Sequence, residues 1–573
     1  MQRFNKLLSH TLLALAVVAL QACGGGGGGG NVDGTTPINV APITAPPVVN
    51  LPTTSPPVTP APPAAGQVRI TGQATFESVT NRAGAAGLDY GNIATKPMRG
   101  VLVLAVATNG ATTAVVGSAT TSDTGTYTLN VPANTNLAIA VAAITLKTTG
   151  PANWSVGVYD NADQGALWQI EGPTSSSGAA NTTRDIKAPI GWNPATNTYT
   201  AAQRASGPFA ILDTIYTSMQ LVTSVAPNTQ FPPAIVFWSP NNSTAQGDRA
   251  LGEIGTSFFT ELSNPTGVVS NRALYILGKE GNDTDEFDSG VIAHEYGHYL
   301  QSAFSQNHST GGPHSTGNLL DMTLSYGEGW GYAFASLARN NPANPDSNGA
   351  AQASGFVINT GTAPQRTNNG WFSETSVQYI IYKFGVDNGF APIWAAFNGP
   401  MKSGQDALNT IFSFAAAVRS VAASTANLLN SLLTQQGIFT ASADQWGTGE
   451  TNNGGNANNI PVHQILTVGG PATTICFNNF AGDDSNNKLG ERRYVRFTTP
   501  AGSRTITASF ATGGHDIDFE VFQGGKRLGV ADSENTSSEV FTGNFSAGEV
   551  VVRAVDFKIN SASATNCATI KVN

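Results

Sequence analysis

Two histidines four residues apart, with a glutamate beside the first, constrain this chain more than any other feature: His294-Glu295-Tyr296-Gly297-His298. On a helix the two rings stand one turn apart on one face, where both can reach a single metal ion. Glu295 is then placed to take a proton from water held by that ion. The flanks suit such a helix. Asp283, Asp285 and Asp288 crowd its N-terminal end, where acceptors satisfy free amides and negative charge suits the dipole. Val291, His294, Glu295 and His298 share one face, while Ile292, Tyr296, Tyr299 and Ala303 cover another. A helix apolar on most sides is a central one.

The same spacing also fits two core histidines bonded to carbonyls. Against that, the chain has only seven histidines, and the residues around the motif match the metal-helix pattern. A third ligand is needed. One class of metalloprotease places a histidine six residues after the second, but that position is Phe304. His308 and His314 lie in a Gly/Ser/Thr-rich loop over 307–318. Glu328, in Gly327-Glu328-Gly329-Trp330, opens the next expected helix, a stiffer place for a ligand. Two histidines, one carboxylate and an open water position make a catalytic zinc (Zn2+) site.

The 573 residues suffice for about three or four domains. Only 11% are charged, the net charge is −9 and no basic cluster exists, so nucleic acid is excluded as a partner. Arg3 and Lys6 precede a short apolar run over 11–20, too short to span a bilayer, which reads as a secretory signal. Leu20-Gln21-Ala22-Cys23 resembles a bacterial lipobox, which implies a signal peptide over 1–22 and lipid on Cys23. An ordinary cleaved signal is the alternative. Gly24 in place of Asp implies, by resemblance to Gram-negative lipoproteins, the outer membrane or cell surface. With Cys23 lipidated, Cys476 and Cys567 form an even pair. A disulfide between them would stabilise the C-terminal segment by about 4–5 kcal/mol in the chain-entropy model; two free thiols are the other reading.

Composition divides the chain. Residues 23–66 are a Gly/Pro-rich linker. Residues 67–190 read as β, with apolar runs at 101–106 and 137–141 and a turn at Asp123-Thr124-Gly125 leading into a strand. This part resembles small transthyretin-like or carboxypeptidase-regulatory sandwiches, which implies an accessory β-sandwich. Residues 195–447 open with a helix over 209–222 and strands over 234–238 and 273–277. Helices are expected over 332–339, 374–384 and 407–435. Strands first and helices afterwards suggest an α+β catalytic domain. A linker over 448–461 precedes alternating strands over 462–573.

The succession His294-Glu295-Tyr296-Gly297-His298, Thr310-Gly311-Gly312-Pro313 and Gly327-Glu328-Gly329-Trp330 resembles the fungalysin family of gluzincin metallopeptidases. The resemblance implies His294, His298 and Glu328 as zinc ligands and Glu295 as general base. It also implies a thermolysin-like zincin domain whose edge strand aligns substrate backbone; 274–277 is the candidate strand. Two family features are missing. The Asp that supports a zinc histidine is replaced by Tyr332, leaving Asp321 as a substitute. The family's oxyanion histidine has no counterpart in Asn368-Asn369-Gly370-Trp371-Phe372-Ser373-Glu374. Tyr326, Tyr379, Tyr382, His308 and His314 are candidate donors, with Tyr326 taken as the catalytic one.

His515-Asp516-Ile517-Asp518-Phe519 resembles a strand of bacterial pre-peptidase C-terminal domains, which implies a second flanking β-sandwich. Asp516 and Asp518 could hold Ca2+; a solvated turn is the alternative. The expectation is a multi-domain, exported, lipid-anchored zinc endopeptidase acting on protein or peptide substrates. The alternative is a catalytically impaired surface binding or adhesion protein.

Overall fold

The computed structural model describes residue 51 and residues 54–573, apart from 58, 84, 110–111, 264–268, 365–367, 440–443, 482–484, 535 and 560–564. The signal segment, Cys23 and most of the 23–66 linker lie outside the described residues. The chain builds several β-sheets and a smaller set of helices in two compact units. Among the described residues, no helix is long and apolar enough to cross a membrane.

In one unit, β1 (Gln67–Ser78) buries Val68, Ile70, Ala74 and Phe76 on one face, as alternation demands. β2 (Val101–Asn109) and β3 (Thr112–Thr120) pair as a hairpin. The turn ending at Gly125, with φ +76°, leads into β4 (Thr126–Pro132), antiparallel to β1. Then come β5 (Asn136–Lys147), β6 (Trp154–Asp160), helix α1 (Gly207–Val225), β7 (Ala234–Trp238), β8 (Phe258–Ser263) and β9 (Val269–Ile276). One sheet takes them in the order β8-β9-β7-β6-β5-β2-β3. β7 lies parallel to both β6 and β9, so the sheet draws strands from both sides of the boundary expected near residue 190.

β9 corrects the expected substrate edge. Leu274 and Tyr275 are paired antiparallel with β8 and parallel with β7, and Ile276 is paired with β7. The strand lies inside the sheet, with the backbone of Leu274 and Tyr275 already used on both sides, and is not an edge that takes up another chain. The strands at the two ends of this order are β8 and β3. The end of the expected linker is also engaged: Thr148 N donates to Ser55 Oγ at 2.9 Å, and Arg69 donates to the Ala61 carbonyl at 3.0 Å.

After β10 (Asp283–Thr284) the chain enters α2 (Ser289–Phe304). Asp288 does not use its carboxylate as the expected cap. It accepts from Asn81 Nδ2 at 2.6 Å and from the Ser347 amide at 2.8 Å. Ser347 belongs to β11 (Ala343–Asn348), which pairs with β12 (Ser354–Asn359) and sets Asn348 opposite Asp283.

The other unit holds the helices α3 (Met322–Arg339), α4 (Glu374–Asn388), α5 (Ala391–Phe397), α6 (Ile411–Val421) and α7 (Ala426–Gln435). The single helix expected over 407–435 is thus two. The C-terminal strands are β13 (His463–Ile465), β14 (Thr473–Asn478), β15 (Arg492–Thr499), β16 (Gly502–Phe510), β17 (Ile517–Gln523), β18 (Lys526–Ala531), β19 (Ser538–Phe545), β20 (Gly548–Asp556) and β21 (Thr565–Val572). They form two sheets, β13-β15-β20-β17-β18 and β14-β21-β16-β19. These close on a core including Phe477, Phe497, Ile506, Phe519, Val552 and Ile570. Cys476 and Cys567 face each other on β14 and β21 and are joined by a disulfide. The Asn/Gly-rich stretch before this sandwich is held in place: Trp371 Nε1 donates to the Asn452 carbonyl at 2.9 Å, and Asn452 Nδ2 to that of Asn369 at 2.8 Å.

Candidate metal centre

α2 is buried on most sides: Ile292, Ala293, Tyr296, Tyr299 and Leu300 are wholly inaccessible. Tyr296 stacks on Tyr299 of the same helix with ring centroids 4.7 Å apart, and the Tyr299 hydroxyl ties the helix to the segment before β7 by donating to the Pro232 carbonyl at 2.5 Å. One turn apart, His294 and His298 bring their Nε2 atoms to 3.0 Å, with ring planes inclined at 77°. Two nitrogens of one tetrahedral zinc, each bonded at 2.0–2.1 Å, stand about 3.3 Å apart. The observed convergence fits a shared ion. Glu295 lies between them in sequence and is 0% exposed.

Glu328 completes the group. A ligand atom of each of His294, His298 and Glu328 lies within 4.8 Å of the others. All three residues are buried. Two imidazoles and a carboxylate are the donor chemistry that zinc takes. Glu328 does not open its helix, as expected, but sits within α3, which begins at Met322. Gly329 lets α3 approach α4: a Cβ there would meet Val377 Cβ at 2.5 Å. Trp330 stacks on Phe397 at 4.1 Å.

Asp321, the expected supporting acceptor, caps this helix. It accepts from the Thr323 amide at 2.9 Å and from the Tyr494 hydroxyl at 2.7 Å. His314 instead meets the candidate ligand, with Nε2 at 3.5 Å from Glu328 Oε2 and 3.8 Å from Glu374 Oε2. Burial alone would lower its pKa, but the two carboxylates outweigh burial and raise it to about 9. Its place follows from the turn that precedes it, where Asn487 Nδ2 donates to the Gly311 carbonyl at 2.8 Å and Lys488 Nζ to that of Pro313 at 2.8 Å. The joint position of His314 and Glu374 was hidden in the sequence. Its only signal is that His314 directly follows Thr310-Gly311-Gly312-Pro313.

Two expected oxyanion donors are committed elsewhere. Tyr326 is 0% exposed, and its hydroxyl lies 3.6 Å from Met401 Sδ. That makes it a core residue and not the catalytic donor. His308 uses both ring nitrogens: Nδ1 accepts from the Asn409 amide at 2.8 Å and Nε2 meets the Gly525 carbonyl at 2.7 Å. Burial holds its pKa down at about 4. Tyr379 and Tyr382 lie on α4. Asp516 accepts from the Thr536 amide at 3.0 Å. Among the described residues, two groups of three donors converge as metal ligands, and neither includes Asp516 or Asp518. A cavity of about 360 Å3, lined by Asn81, Asp213, Glu286 and Arg339 among others, is not lined by His294, His298 or Glu328.

Residues 248–373 match the model of the fungalysin metallopeptidase family, M36. The matched segment carries both histidines, Glu295, Glu328 and His314, and peptidases of that family use zinc. Of solved structures, the chain is similar to the pre-peptidase C-terminal domain of a collagenase from Bacillus anthracis, at 10% identity over 19% of this chain and 94% of that one, with a TM-score of 0.15. It is also similar to PliG, a periplasmic inhibitor of g-type lysozyme from Aeromonas hydrophila, at 15% identity over 19% of this chain and 99% of that one, with a TM-score of 0.14. No curated protein matches the chain.

Proposed function

We propose that this chain is a zinc-dependent endopeptidase of the gluzincin type, with a thermolysin-like catalytic arrangement. The observation that carries this reading is the convergence of His294, His298 and Glu328 within 4.8 Å, on the helix that also bears Glu295 and on α3. His294 and His298 through Nε2, and Glu328 through a carboxylate oxygen, are the residues that would hold the ion. Bound zinc supplies Lewis acidity toward a peptide carbonyl and lowers the pKa of water. Glu295 accepts the proton of the attacking water and returns it to the departing amine. His314 orients Glu328 and balances its charge.

Glu295→Gln should retain stoichiometric zinc and lose at least a hundredfold in casein cleavage, since general-base catalysis contributes about 10²–10⁴-fold. Full activity in a zinc-loaded Glu295→Gln variant would overturn the mechanism. A second reading, a catalytically impaired surface-binding protein, draws support from the commitment of Tyr326 and His308 to other contacts. Stoichiometric zinc without turnover on a broad peptide library is the outcome it requires. We further propose export and lipid attachment at Cys23, supported by Leu20-Gln21-Ala22-Cys23. Cys23→Ser should shift the protein from the membrane fraction to the soluble one; unchanged retention would count against the anchor.

A further inference from the structure

Just ahead of α2, a second set of acids converges. Asp283, Asp285 and Asp346 each offer a carboxylate oxygen within 4.8 Å of the other two. Strand pairing brings them together. Asp283 on β10 stands opposite Asn348 on β11. Asp346, two residues back along β11, projects to the same face as Asn348.

The neighbourhood does not neutralise them. The leading charges acting on Asp283 and Asp285 are other acids, among them Asp288 and Asp346. Glu286, also nearby, is held by Arg204 at 2.6 Å. Asp288 is satisfied by Asn81 and Ser347. The three converging acids are not satisfied. Asp285 is 2% exposed; one oxygen takes the Ser257 hydroxyl, and Oδ1 has no hydrogen-bond partner among the described residues. The buried Oδ1 atoms of Asp283 and Asp346 are in the same position. Convergent carboxylates that each keep a buried, unpartnered oxygen are costly to bury without a cation to bind them.

We propose that Asp283, Asp285 and Asp346 form a structural calcium site that braces the entry to α2. The donors are all hard oxygens, without nitrogen or sulfur, which selects Ca2+ or Mg2+ over zinc. Mg2+ demands near-ideal octahedral geometry and gives up its waters reluctantly, whereas Ca2+ takes six to eight oxygens in flexible geometry. Three carboxylates converging within 4.8 Å of one another suit Ca2+, with carbonyls and water filling the remaining positions. The site would join β10 to β11. Asp288, at the start of α2, is already bonded to Ser347 beside Asp346. Calcium would therefore stiffen the frame from which His294 and His298 project.

The test uses the full chain, stripped with chelator and reloaded with one equivalent of zinc. Calorimetric titration with Ca2+ should show one further ion bound per chain, with a rise of several degrees in Tm. Asp346→Asn and Asp285→Asn should weaken that binding at least tenfold. Asp283→Asn and Asp346→Asn, at partly exposed positions, supply the same test if the variant at buried Asp285 fails to fold. His294→Ala and Asp516→Asn should keep the calcium response, which separates this site from the zinc centre and from the C-terminal acids. Absence of Ca2+ binding at millimolar concentration by the folded wild-type chain would overturn the proposal. So would unchanged affinity in the folded Asp283, Asp285 or Asp346 variants.

Discussion

His314 shows how much a single side chain can carry at this site. Its ring lies 3.5 Å from the Glu328 carboxylate and 3.8 Å from that of Glu374, so it is placed to orient the proposed third ligand and lies outside the proposed ligand set. Removing such a supporting partner typically costs a site about 10–100-fold in metal affinity. His314→Ala should show that loss in chelator-competition measurements of zinc, with partial rescue in His314→Gln if hydrogen bonding is its role. The histidine pair was legible because its spacing is a local property of one helix. The choice between His308 and His314 was not, since both lie in the same polar loop. Only the fold sends one ring to Asn409 and Gly525 and the other to Glu328. Tyr326 was misread for a related reason. Its neighbour in sequence is a ligand's motif, but its hydroxyl is directed at Met401.

Among the elements, α3 departs most from expectation. Glu328 is expected to open its helix, yet the helix begins at Met322 and runs straight through Gly327 and Gly329. Gly329 is retained for packing, because a Cβ would meet Val377 at 2.5 Å and the Gln378 amide nitrogen at 2.9 Å. Overpacking costs about 1–3 kcal/mol, and the gain in helix propensity from Gly to Ala returns up to about 1 kcal/mol. Gly329→Ala should therefore be destabilised by about 1–2 kcal/mol in urea unfolding, with weaker zinc binding as α3 shifts against α4. A neutral or stabilised variant would show that α4 yields. β9 carries a parallel lesson. Its apolar run marked a buried strand correctly, but its place between β7 and β8 depends on segments distant in sequence.

For the whole molecule, the C-terminal sandwich is more than an appended module within its own compact unit. Arg553 on β20 donates to the His308 carbonyl at 2.7 Å and pairs with Glu520 at 2.6 Å. Burial would push the Glu520 carboxyl up, but Arg553 and Arg492 outweigh it and hold it at about 2. A carboxylate depressed in the folded state stabilises fully above its unfolded pKa, about 4.3, and loses that contribution as pH falls toward 2. The stability difference between wild type and Glu520→Gln, followed by chemical unfolding, should be constant above about pH 5 and shrink steadily below about pH 4. A difference that does not change with pH would deny the ion pair this role. The sequence by itself determined the helix that carries His294 and His298, the strand-rich composition and the order of the motifs, because each rests on local periodicity or on residue type. The tertiary structure alone decided which loop histidine meets Glu328, that β9 lies inside its sheet, and that Asp283, Asp285 and Asp346 share one point. Those outcomes depend on backbone pairing and packing between segments far apart in the chain, where the sequence carries no spacing to read.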